Sequence, residues 1–93
     1  MSRRLETLAP GTPVFCGDRL VGTVEGVYTE GTSRLPEYLA VHWNARSAPI
    51  LVSTNDVESI EARGVVLQCA DPTIYDTTAT FEPARYPTIK KLA

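Results

Sequence analysis

The run Gly17–Tyr28, Gly-Asp-Arg-Leu-Val-Gly-Thr-Val-Glu-Gly-Val-Tyr, constrains the fold more than any other stretch of the chain. It opens on Gly17-Asp18, a dipeptide suited to a tight turn: glycine accepts positive φ, and aspartate bonds to nearby backbone. Leu20, Gly22 and Val24 then follow at the strand period of two and share one face. Val27 falls out of phase with them. One extra residue at Glu25-Gly26 restores the phase, which is how a β-bulge reads in sequence. Gly26, with positive φ open to it, is the residue that permits the bulge, since glycine inside a strand otherwise weakens pairing. A long strand bent by a bulge lets a small sheet turn a corner and close on itself.

The flanking segments supply the partners. Pro13–Cys16 reads as a short first strand, turned by Gly17-Asp18-Arg19 into the long one. Glu30–Glu37 is a loop by composition. Tyr38–Trp43 alternates, with Leu39, Val41 and Trp43 on one face and Tyr38, Ala40 and His42 on the other. After a second loop, Asn44–Pro49, comes the strand Ile50-Leu51-Val52. Ser53-Thr54-Asn55-Asp56 offers several helix-capping residues but so little apolar content that one 3₁₀ or α turn is the most it supports. Ser59-Ile60-Glu61, the turn Ala62-Arg63-Gly64 and Val65–Cys69 complete a hairpin, and Asp71-Pro72 stops the sheet. Short, closely spaced strands with no intervening helical pattern predict a small, six-stranded antiparallel all-β barrel. Val14, Leu20, Val24, Val27, Leu39, Val41, Ile50, Val52, Ile60, Val65 and Leu67 are its expected core. At 93 residues the chain makes one domain at the small end of what a single core stabilises.

At this point the pattern resembles the PRC-barrel domain, the small β-barrel of the photosynthetic reaction-centre H subunit and of the bacterial ribosome maturation factor. Gly11, Val14, Gly17-Asp18, Gly22, Val24 and Val27 match the family's opening. Tyr38-Leu39-Ala40-Val41 matches its middle strand. Ile50-Leu51-Val52, Asn55–Ile60 and Val65-Val66-Leu67 match its closing segments. The likeness covers about residues 5–69. Ser53 stands where the family usually has proline after the fourth strand, and the tail beyond Asp71 matches nothing in it. The resemblance implies a docking or scaffolding module with no catalytic or cofactor residues to carry over.

Charge separates the possible partners. Residues 10–71 hold eight carboxylates against four arginines, net −4, while each terminal piece is net +1. An acidic body repels phosphates, whose counterions supply most nucleic-acid affinity. No direct nucleic-acid binding is expected of the barrel, and any RNA contact would fall to Arg3, Arg4, Lys90 and Lys91. No apolar run reaches the ~20 residues of a membrane helix, so no membrane insertion is expected. Met1–Leu8 lacks the apolar core of a secretory signal, leaving the cytoplasm as the expected compartment. Cys16 and Cys69 match no metal spacing and read as buried reduced thiols.

His42, the lone histidine, has no ligand or nucleophile at a telling distance and reads as a surface residue. The glycines of the 17–26 run precede a strand, whereas a phosphate loop precedes a helix. Asp56 and Glu58 read as solvated carboxylates at a capped turn. The expectation is therefore no enzyme, no cofactor and no metal. Trp43 is in core phase, yet it lies at a strand end where an aromatic also anchors a partner. With Tyr28, Leu35 and Tyr38 around the neighbouring loop it forms the candidate partner-binding set.

The reading that follows is a protein-interaction adaptor. A ribosome-associated factor contacting a basic ribosomal protein is the alternative. The chain divides into a domain of residues 1–71 and an extended arm of residues 72–93. The arm is too rich in aromatic and branched residues for disorder. Ile74, Tyr75 and Phe81 are its expected anchors on a barrel, its own or a neighbour's, and exchange between two copies would make a homodimer.

Overall fold

The structure, a computed structural model, describes residues 8–44, 48–68 and 80–92. They form an all-β fold of seven strands: β1 (Pro13–Cys16), β2 (Arg19–Glu30), β3 (Tyr38–Trp43), β4 (Ile50–Ser53), β5 (Val57–Glu61), β6 (Gly64–Leu67) and β7 (Ile89–Lys91). The strand order is β4-β3-β2-β1-β6-β5, with β7 added to β2. The expected closed, six-stranded antiparallel barrel is corrected on three counts. There are seven strands. β1 and β6 run parallel, Val14 facing Val65 and Cys16 facing Leu67. The sheet is also not closed, because β4 and β5 end the strand order with no ladder between them among the described residues, although only a 3₁₀ turn, Thr54–Asp56, separates them in sequence. That turn is the single turn expected, capped by the Ser53 hydroxyl, which accepts from the Asn55 N–H.

The long β2 organises the sheet. β3 pairs along one edge from Gly22 to Tyr28. The other edge is shared, β1 taking its first half and β7 its last three residues. Against β3 the register slips between Val24 and Gly26, so the bulge lies where the phase break puts it. The reason given for Gly26 is corrected, however, since Gly26 is not among the glycines with positive φ. What glycine supplies there is room. A Cβ at Gly26 would lie 3.2 Å from the Tyr28 ring and 3.4 Å from the Lys91 side chain. Positive φ is needed instead at Gly17, where β1 turns into β2, and at Gly64, where a Cβ would also strike the Pro13 carbonyl.

A second bulge overturns one expected core residue. Opposite β1 the register steps from Gly22 to Leu20, leaving Val21 as the extra residue. This turns Val21 into the core and Leu20 out to 50% exposure. A third slip, at Glu58, lets Val57 pair with Leu67 and be fully buried, so β5 starts two residues earlier than its polar sequence suggested. Ile60 is half-buried against the core rather than within it. The other nine expected core residues are buried, joined by Val21, Trp43, Val57 and Cys16. Cys16 is disulfide-bonded, which corrects the reduced thiol expected there. The sequence holds one other cysteine, Cys69, outside the described residues.

Residues 80–91 cross the face of the sheet that points away from the core, and Leu92 packs against the core itself. Thr80 bridges Ile50 of β4, and the Phe81 N–H donates to the Pro49 carbonyl (2.8 Å). Phe81, 4% exposed, meets the Tyr28 ring edge-on with centroids 5.0 Å apart, and Tyr86 lies 5.8 Å beyond. A 3₁₀ turn opened by proline, Pro83–Arg85, redirects the chain to β7. There the Leu92 N–H donates to the Val27 carbonyl and the Gly31 N–H to the Thr88 carbonyl, both at 2.7 Å. Gly26, paired with Ala40, has no Cβ, which lets the Tyr28 ring and the Lys91 side chain of β7 lie close over it. The other expected anchors, Ile74 and Tyr75, lie outside the described residues.

Candidate functional site

The loop between β2 and β3 and the turn between β4 and β5 form the walls of one groove. Leu35, Pro36, Glu37 and Tyr38 stand on one side, and Ser53, Thr54 and Asn55 on the other, around about 260 Å³ of open space. Local bonds shape the loop: the Thr29 hydroxyl donates to the Ser33 carbonyl (2.9 Å), and the Leu35 N–H donates to the Ser33 hydroxyl (3.2 Å). Two further bonds tie it to the turn, from the Thr54 N–H to the Glu37 carbonyl (3.0 Å) and from the Thr54 hydroxyl to the Pro36 carbonyl (3.2 Å). Each of these four bonds has a backbone group on at least one side, so the groove's walls are fixed at the main chain.

Leu35 is 71% exposed at its rim, the most exposed large apolar residue described. Tyr38 is half-buried, and its hydroxyl donates to Glu30 Oε2 at 3.0 Å. That hydrogen bond holds the phenol above its ordinary pKa, followed by desolvation and by the charges of Glu30 and Glu37. Tyr38 therefore remains a neutral donor at physiological pH. Neither Glu30 nor Glu37 has a cationic partner among the described residues, where the ion pairs are Arg63 with Asp18 and Glu61, and Arg85 with Glu82.

The four residues expected to bind a partner separate into three places. Leu35 and Tyr38 line the groove. Tyr28, the register partner of Tyr38, has its ring against Phe81. Trp43 is 3% exposed and packed in the core at the other end of β3, so its strand phase, and not its position beside a loop, describes it. The Ser53–Asn55 wall was missed as part of a site. Its capping signal was legible, but its bonds to Pro36 and Glu37 join residues far apart in sequence. His42 is exposed, in register with Thr23. Among the described residues no three His, Cys, Asp or Glu side chains gather as metal ligands. No described helix is long and apolar enough to cross a membrane.

No known protein family, curated protein or solved structure matches the chain. The PRC-barrel resemblance accordingly has no support beyond the residues that suggested it.

Proposed function

We propose that this chain is a non-enzymatic protein-interaction module, an adaptor of PRC-barrel type, that docks a partner protein at the groove between Leu35–Tyr38 and Ser53–Asn55. The observation that carries this reading is Leu35, a large apolar side chain left 71% exposed on a loop that hydrogen bonds otherwise hold in place. Tyr38 beside it is a residue type enriched among the anchors of protein interfaces. The groove, at about 260 Å³ and open to solvent, falls below the ~300–1,000 Å³ typical of small-molecule sites, so a protein segment suits it better than a cofactor. The ribosome-associated alternative draws on one feature, the acidic body, which suits contact with a basic protein rather than with RNA.

The test is affinity capture from native lysate on immobilised wild-type chain and on Leu35→Asp. The expected result is a protein retained by the wild type and lost with the variant. Identical captures on both, or retention of nucleic acid alone, would contradict it.

A further inference from the structure

We infer that the segment taken by this groove is a basic one, an extended stretch of a partner protein that presents lysine or arginine next to an aliphatic side chain. The inference rests on the docking reading above and adds the partner's chemistry. Three observations carry it. First, Glu37 lines the groove half-buried, and Glu30, outside the lining, accepts from the hydroxyl of the lining residue Tyr38. Neither carboxylate is ion-paired among the described residues, although β7 sets Lys90 and Lys91 opposite Thr29 and Tyr28, so a bound ammonium or guanidinium in the groove would meet an unpaired carboxylate at Glu37. Arg34, next to Leu35 in the loop, is exposed and pairs with neither of them.

Second, the apolar surface is small and placed beside the charge. Leu35, Pro36 and Tyr38 offer a floor for one aliphatic side chain, and the space of about 260 Å³ admits one or two side chains but no folded element. Third, the polar wall of Ser53, Thr54 and Asn55 supplies hydroxyl and amide groups within the same groove, suited to the backbone of an extended segment. The net −4 of residues 10–71 extends the same field over the approach, favouring encounter with a basic partner and opposing an acidic one. A contact this small gives weak, salt-sensitive association.

A phage-displayed random dodecapeptide library, panned on the immobilised full chain, tests this without a known partner. Enriched peptides are expected to carry lysine or arginine within two positions of leucine, isoleucine or methionine. Measured by fluorescence anisotropy, their affinity should fall about tenfold or more with Glu37→Lys and with Leu35→Ser, and should weaken as salt rises. Leu20→Ser, which alters an exposed leucine at the opposite end of β2, should leave it unchanged. Replacing the peptide's cations by glutamate should abolish binding to the wild type and restore it to Glu37→Lys, a reversal that a merely structural role for Glu37 would not produce. Leu35-dependent peptides without positive charge would overturn the basic chemistry and leave the docking reading standing. Enrichment of no peptide that depends on Leu35 would overturn both.

Discussion

The two faces of the β2–β3 ribbon are built on different terms. On the inner face Val24, Val27, Leu39 and Val41 are at most 1% exposed, and strands β1 to β6 cover them. On the outer face the same two strands carry Gly26, Tyr28, Tyr38 and Ala40; the strap of residues 80–92 packs on Tyr28 through Phe81 and leaves Tyr38 at the open groove. Phe81 is as buried as many core residues yet belongs to no part of the core cluster. The difference teaches that burial alone does not define one cooperative core. The inner face is enclosed by many strands at once, whereas the outer face depends on one short segment held by aromatic contacts and a three-residue strand.

Substitutions on the two faces should differ in size and kind. Leu39→Ala removes a fully buried side chain from the middle of the inner face and should destabilise the protein by about 3–5 kcal/mol in chemical denaturation. A loss below 1 kcal/mol would show that the inner face is not the main core. Phe81→Ala deletes a larger side chain, yet the strap can release locally, which limits the loss to about 1–2 kcal/mol. A loss equal to that of Leu39→Ala would merge the two faces into one unit. Gly26→Val should cost about 1–2 kcal/mol, because the added carbons press on the Tyr28 ring and the Lys91 side chain. Combining it with Phe81→Ala should then cost less than the sum, since the ring is freer to move; strict additivity would break the link between Gly26 and the strap.

The smallest effect concerns Tyr38, at the uncovered end of the outer face. Its raised pKa owes most to Glu30, so Glu30→Gln should bring its ultraviolet titration midpoint down towards that of an ordinary tyrosine. The sign follows from the charge: a neutral amide no longer opposes formation of the phenolate. A midpoint unmoved by the substitution would show that Glu30 does not hold the hydroxyl.

The same contrast sets how much the sequence reveals. The bulge at Glu25-Gly26, the strand Tyr38–Trp43 and the capped turn after Ser53 were legible because each is a local pattern of phase or hydrogen-bonding residues. The bulge at Val21 was not, since Leu20 and Val21 are both apolar and either can serve as the inward residue. Nor was the parallel pairing of β1 with β6, which depends on contacts across the whole domain. β7 carries Lys90 and Lys91 and joins the sheet only because β1 leaves the end of the β2 edge free. At the groove, Leu35 and Tyr38 were found as apolar residues in and beside a polar loop. Glu30, Glu37 and the Ser53–Asn55 wall became visible only once Thr54 was seen bonded to Pro36 and Glu37.

Native-state hydrogen exchange, followed amide by amide in wild type and in Phe81→Ala, tests most directly whether the strap is a separable second layer. The amides of Phe81, Leu92 and Gly31, which bond to Pro49, Val27 and Thr88, report the strap. The amides of Val24 and Asn44, bonded to Thr12 and Val21, report the sheet beneath it. In the wild type the strap amides should exchange through an opening of lower free energy than the sheet amides. In Phe81→Ala the strap amides should lose most of their protection while the sheet amides retain most of theirs. Equal opening free energies in the wild type, or an equal fall across both sets in the variant, would contradict the account.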